Sequence, residues 1–219
     1  LEMPSTAFDN VRFETARSIE LIKEMVGILR TASQGKYDPP MDKLQTHYQN
    51  ICILENANLL YLGKIRQLEL TERDSLTHQN LMSTNTMLEG IAYTLQTEIR
   101  EIVKKMVEMD YQPSETTLEY IQEVVEATLH ALDLTEKGLK EHDYAAFEEI
   151  LEMKRAYKEL LDKFMQRKSN RLVEASESYL NIVKMETSLV NTFYHIYHMN
   201  RLLAKQWIKE QDLLEKEEA

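Results

Sequence analysis

The stretch LMSTNTMLEGIAYTLQTEIREI, Leu81 to Ile102, decides the fold. Its apolar residues recur at steps of three and four, the spacing of a helix with one side in a core. A weaker copy, YLNIVKMETSLVNTFYHIYHM, runs from Tyr179 to Met199. Setting Met87-Leu88-Glu89 over Lys184-Met185-Glu186 divides the chain into two repeats of similar length, residues 1–112 and 113–219. A repeat this long reads as one internal duplication, not as a solenoid array.

The rest of the chain supplies two more helices for each copy. Ser5 or Thr6 is expected to cap a first helix reaching about Thr31, with Thr6 and Asp9 at capping-box spacing and Val11, Ala16, Ile19, Ile22, Met25 and Leu29 as one buried stripe. Ser33-Gln34-Gly35 ends it, and Asp38-Pro39-Pro40 makes an extended link. A second helix starts near Met41 and carries Ile51, Leu54, Leu62, Ile65 and Leu68, with Asn58 in need of a partner if buried. Thr71 and Asp74 form another capping box, after which the third helix runs from about Glu72 to Met109.

Pro113-Ser114 stops that helix and caps a fourth one, which extends to about Lys140; Asp143 caps a fifth, continuing to the basic stretch near Arg171. No Gly or Pro marks the start of the sixth, which we place between Glu174 and Glu177. Its seam is Ile182, Met185, Leu189, Thr192, Ile196, Met199 and Leu203, and the charged end from Lys209 is expected to fray. Short loops between long helices imply antiparallel neighbours, hence an all-α fold of two tandem antiparallel three-helix bundles.

Composition narrows the function. The chain has 219 residues, five Gly, four Pro and a net charge of −11. That charge argues against nucleic acid and anionic membrane surfaces, since phosphate neutralisation needs clustered Lys and Arg. The single cysteine, Cys52, rules out an internal disulfide and suits a reducing compartment; it reads as a small core residue beside Ile51 and Ile53. No apolar run approaches the ~20 residues that span a bilayer. The sequence starts at Leu1 instead of Met, so we expect a piece of a longer protein.

Chemistry is sparse. His195 and His198 share a helix face, but Ile196 between them is a seam position, which puts both on the flank. Glu126 and His130 are four apart, whereas di-iron bundles need Glu-x-x-His, which is absent. HExxH, phosphate loops and nucleophile elbows are also absent, so no enzyme activity is expected. Glu98-Glu101 and Glu119-Glu123-Glu126 read as solvated faces. Trp207 and the turn from Phe193 to Tyr197 read as packing between bundles or at a dimer interface, and the eleven Met as core filling.

With two matching third helices, the chain resembles a PhoU domain over nearly its full length. YLGKIRQLELT (Tyr61 to Thr71) resembles the family's passage from helix 2 to helix 3. PSTAFDNVRFETARSIELIKEM resembles the start of the PhoU-like tail of bacterial sodium/phosphate cotransporters, and ALDLTEKGLKEHDYAAFEEILEMKRAYKELLDKFMQRKSNRL agrees with the second repeat. The family's third helices carry a signature like D-L-E-R-I-G-D-H, whose acidic residues help bind iron or other divalent metals. Here Glu89 and Glu186 match the central Glu, while Met87, Tyr93, Lys184 and Val190 replace the aspartates. One carboxylate per repeat is a poor site for a hard cation, so no cofactor is expected and Glu89 and Glu186 are the only residues left that a metal would use.

The resemblance implies a non-enzymatic regulatory domain on the cytoplasmic side of the membrane, part of an integral membrane protein, acting on phosphate transport. Its implied partner is the membrane transport domain of the same polypeptide or a phosphate-signalling protein, with no nucleic acid and with a homodimer left open. The alternatives are a free-standing PhoU-type adaptor and a metal-binding helical bundle.

Overall fold

Pro4 opens the first helix in the computed structural model, which describes residues 3–33, 40–172 and 177–217. Helix α1 spans Pro4–Ser33. A proline suits the first helical position because its missing N–H has no partner there anyway. Ser5 and Thr6 therefore lie inside the helix and the expected Thr6–Asp9 capping box does not form; Asp9 instead meets His142 (3.0 Å). The Gln34–Gly35 stop and the Asp38-Pro39 link fall outside the described residues.

Helix α2 spans Met41–Ile65. Helix α3 starts at Glu72 on the expected capping box: Thr71 Oγ1 accepts from the Asp74 N–H (3.1 Å), and Asp74 accepts from the Thr71 N–H (3.2 Å). It runs as α-helix over Glu72–Thr94, widens into a π turn at Leu95–Ile99, and resumes as Arg100–Glu108. Ser114 and Asp143 cap α4 (Glu115–Glu141) and α5 (Tyr144–Arg171) as expected. Helix α6 spans Glu177–Glu217, and residues 173–176 of the α5–α6 junction lie outside the description. The described residues thus form six helices and no strand.

Helix α6 continues past Lys209 to Glu217, and Glu210, within the stretch expected to fray, is buried against other helices; residues 218–219 lie outside the described residues.

Helices α1, α2 and α3 pack on one another, and so do α4, α5 and α6; α1 with α4 and α3 with α6 join the two sets. The four joining helices are covered on more than one side. That is why α1 buries a broad face, adding Phe8, Arg12, Thr15, Ser18 and Val26 to the single stripe expected of it. The buried apolar side chains of both sets form one connected core.

Polar residues inside this core are matched to each other. Asn58 is buried and donates to Asn85 Oδ1 (2.8 Å), while Asn85 donates to Thr15 Oγ1 (3.0 Å), linking α2, α3 and α1. Across the chain, Thr135 donates to Asn200 Oδ1 (2.8 Å) and Asn200 donates to the Ala131 carbonyl (2.8 Å). Such pairs cost little net energy when complete and about 1–3 kcal/mol when one partner is removed.

At the rim of the α1–α4 contact, Lys23 binds Asp133 (2.8 Å) and Glu136 (2.6 Å), and Lys140 binds Glu136 and Glu20 (2.6 Å each). Partial burial opposes the Glu136 charge, but the hydrogen bonds from Lys140 and Lys23 outweigh it and hold the carboxyl below its ordinary range. A depressed carboxyl pKa stabilises the fold above the unfolded-state value and ceases to do so as pH falls through the folded one. Glu136→Gln should therefore lower the urea midpoint at neutral pH and converge on the wild type as the pH falls through the depressed folded-state value of Glu136, with denaturant titrations across acidic pH as the check.

Gly138 of α4 lies so close to Phe147 of α5 that an added Cβ would stand 2.5–2.8 Å from its ring carbons. Gly138→Ala gains about 1 kcal/mol of helix propensity but must displace a ring stacked on Trp207. Overpacking costs of about 1–3 kcal/mol should win, so the variant is expected to melt below the wild type by calorimetry.

Candidate functional site

Glu186 sits one residue past Met185, on the side of α6 turned toward α5 and the end of α3. It is buried, and its carboxylate forms an ion pair with Lys168 of α5, itself buried. The Tyr111 hydroxyl, from the link between α3 and α4, donates to the same carboxylate. Lys168 completes its shell by donating to Thr117 Oγ1 (3.0 Å) on the first turn of α4 and by standing 5.2 Å over the Phe164 ring. Burial, and then the bond to Glu186, push the Tyr111 hydroxyl pKa far up, so it remains a donor.

Glu89 is only half-buried, on the face of α3 turned to α2. It accepts from the Tyr48 hydroxyl (2.7 Å), and the Cys52 thiol lies 4.0 Å from the same oxygen. Burial and the Glu89 charge raise the Tyr48 pKa, and they raise that of nearby Glu55 for the same two reasons. Cys52 is thus half-buried beside a carboxylate, not the core residue expected, because Ile51 takes the core-facing position.

These surroundings bear on whether Glu89 and Glu186 could hold a metal. At Glu186 a divalent cation would have to displace an ammonium already in contact, with a tyrosine and a threonine as the other neighbours. At Glu89 the neighbours are a tyrosine hydroxyl and a thiol, with the Glu55 carboxyl close enough to feel its charge, and among the described residues no three His, Cys, Asp or Glu side chains gather as a metal would need. The residues present do not fit a multinuclear centre. Each glutamate is held by a different set of partners.

The structure holds a second buried carboxylate, one that no motif in the sequence singles out. Glu210 accepts from Thr77 Oγ1 (2.7 Å) and Asn80 Nδ2 (2.6 Å) of α3 and lies 3.7 Å from Arg12 of α1. The Arg12 guanidinium stands 4.2 Å over Trp207, whose other neighbour, Phe147, stacks at 6.1 Å, and the Trp207 N–H donates to Thr84 (3.1 Å). Tyr144 of α5 feels this cluster too: burial and the Glu210 charge raise its pKa. The signal was present, since Glu210 continues the rhythm Ile196, Met199, Leu203, Trp207 at the next step of three.

The remaining candidates separate. His195 is exposed and His198 half-buried, flanking buried Ile196 as expected. Glu126 binds Arg30 (2.5 Å) and His130 binds Glu149 (2.9 Å), so that pair shares no ligand. Glu98 and Glu101 are exposed. Trp207 packs between the two sets of helices. Not all methionines fill the core: Met25, Met106 and Met185 do, whereas Met3, Met82, Met109 and Met165 are exposed.

Between α4 and α5, facing away from α6, runs a groove of about 580 Å³. Its floor is Ala127, Met153, Ala156, Tyr157 and Leu160, and one wall carries Glu119, Glu123 and Glu126. Toward the start of α4 it continues past Tyr120, Glu159 and Lys163.

The chain matches no protein-family model, and comparison with the curated proteins and the solved structures returns no significant match.

Removing one partner of a buried ion pair strands the other charge. Lys168→Met should cost about 3–5 kcal/mol, and Lys168→Met/Glu186→Gln, which leaves no charge behind, should recover most of it. Chemical denaturation of the two variants checks this; equal losses would mean that the pairing is not what the cluster contributes.

Proposed function

We propose that this chain is a non-enzymatic helical regulatory domain, built as two tandem three-helix bundles related by duplication. More particularly, it is a PhoU-like domain of the kind that follows the transport domain in bacterial sodium/phosphate cotransporters, lying on the cytoplasmic side of the membrane and modulating phosphate transport. The family reading rests on the sequence resemblance. The observation that carries the functional part is the state of the two glutamates at the signature position.

Glu186 is neutralised by Lys168 and held by Tyr111, and Glu89 is held by Tyr48. Both carboxylates are engaged in tying helices together, which suits a domain that works through contacts and not through bound metal. The arrangement of contacts agrees with duplication as well: each set of three helices packs internally, and the third helices α3 and α6 meet along their lengths. A domain of this kind shifts a transport equilibrium only through contacts that differ between the transporter's states.

The test is deletion of residues 1–219 from the polypeptide that contains them, followed by phosphate-uptake measurements in phosphate-starved and phosphate-replete cells. The expected result is uptake that no longer responds to phosphate supply. Unchanged uptake with unchanged regulation overturns the reading.

A further inference from the structure

The α4–α5 groove is open because small residues line it. Ala127 and Ala156 stand on facing helices where larger side chains would close the gap, leaving Met153, Tyr157 and Leu160 as an apolar floor. The floor is firm: the Tyr157 ring stacks on Tyr197 at 4.5 Å, and its hydroxyl is hydrogen-bonded to Thr128 Oγ1 (2.9 Å).

The wall is charged in a regular way. Glu119, Glu123 and Glu126 stand at i, i+4 and i+7 of α4, hence on one face. Glu126 is engaged by Arg30, but Glu119 and Glu123 have no ion-pair partner among the described residues. The opposite wall is close to neutral, with Glu159 bound to Arg155 and Lys163 at one end. From Thr116 to Ala127 the lining covers about 17 Å of helix, roughly three turns.

We infer that this groove docks a basic amphipathic helix of a partner polypeptide, apolar side on Met153, Ala156 and Leu160 and Lys or Arg along the Glu119–Glu123 wall. The apolar residues of α5, Met153 to Leu160, cover about two turns and the lining of α4 about three, enough for the i, i+4, i+7 anchors by which a helix lies in a groove. The unpaired carboxylates supply the sign of the partner's charge. A second copy of the chain is disfavoured as occupant because each copy carries a net charge of −11. The inference builds on the reading of the chain as an interaction domain and names where the contact lies.

The probe is a fluorescein-labelled helical peptide of about 14 residues, ~21 Å when helical, with Leu on one face and Lys flanking it. Binding to the full chain is followed by fluorescence anisotropy. Glu119→Lys/Glu123→Lys and, separately, Ala156→Trp should each weaken binding about 10-fold or more, while Glu98→Lys/Glu101→Lys on α3, with the same change in net charge, should leave it within about 2-fold. Ala156 is exposed, so thermal melts that match the wild type show that its replacement fills the groove without unfolding the chain.

Equal loss in the Glu98/Glu101 control, or none in Ala156→Trp, overturns the inference, because the peptide would then be responding to overall charge alone. So does a sedimenting dimer that Ala156→Trp abolishes, which would make a second copy the occupant. The uptake experiment is independent: uptake unaffected by deletion, with groove binding intact, removes the transport reading and leaves the docking surface standing.

Discussion

Trp207 has no exposed surface, and three helices besides its own converge on it: α1 through Arg12, α3 through Thr84 and α5 through Phe147. A cation set over the face of an indole is attracted to the ring, and once desolvated it also demands a counter-charge. Glu210, one turn further along α6, supplies it. The contact between the two sets of helices therefore contains a charge pair whose members come from opposite ends of the chain. Neither residue is stable in that position alone. Truncating α6 before Glu210 would leave Arg12 buried beside a ring with no anion, so the last turns of the chain belong to the core.

The same logic recurs at the other end of α6, where Glu186 and Lys168 meet under Tyr111. Helix α6 thus carries two buried carboxylates, each satisfied by residues from other helices. Buried ion pairs give little net stability, since desolvation offsets attraction, but they penalise every arrangement in which the partners do not meet. Apolar surface drives these six helices together, and the paired charges limit the ways they can be arranged.

Much of this was legible in the sequence. Every helix and most caps were, because Thr71, Ser114 and Asp143 do the same local chemistry in any fold. The Pro4 start differs from the sequence expectation because Ser5 and Thr6 are good capping residues, whereas a proline at the first helical position needs no cap. Periodicity identifies the stripe of α6, Thr192 included, but not the burial of Glu186 and Glu210 beside it. Glu186 and Glu210 are buried only because Lys168, Tyr111, Arg12, Thr77 and Asn80 are delivered from 18 to 198 residues away in sequence, and no local pattern encodes such a meeting. The acidic run Glu119-Glu123-Glu126 was correctly read as exposed; what made it a wall was the pair of alanines, Ala127 and Ala156, on two different helices.

The π turn at Leu95–Ile99 has its own consequence for α3. A π turn holds one residue more than the α-turn it replaces, so the helix beyond it is set about 100° out of phase with the helix before it. Up to Thr94, α3 packs against α1, α2 and α6; from Arg100 onward its main neighbours are α1 and α6. One long rod thus serves as two shorter ones with separate orientations, joined without a loop. Loss of a single residue within the turn would restore a regular helix and swing Val103 and Met106 away from the core they now fill. In this chain helical phase, as much as residue identity, decides what the end of α3 touches.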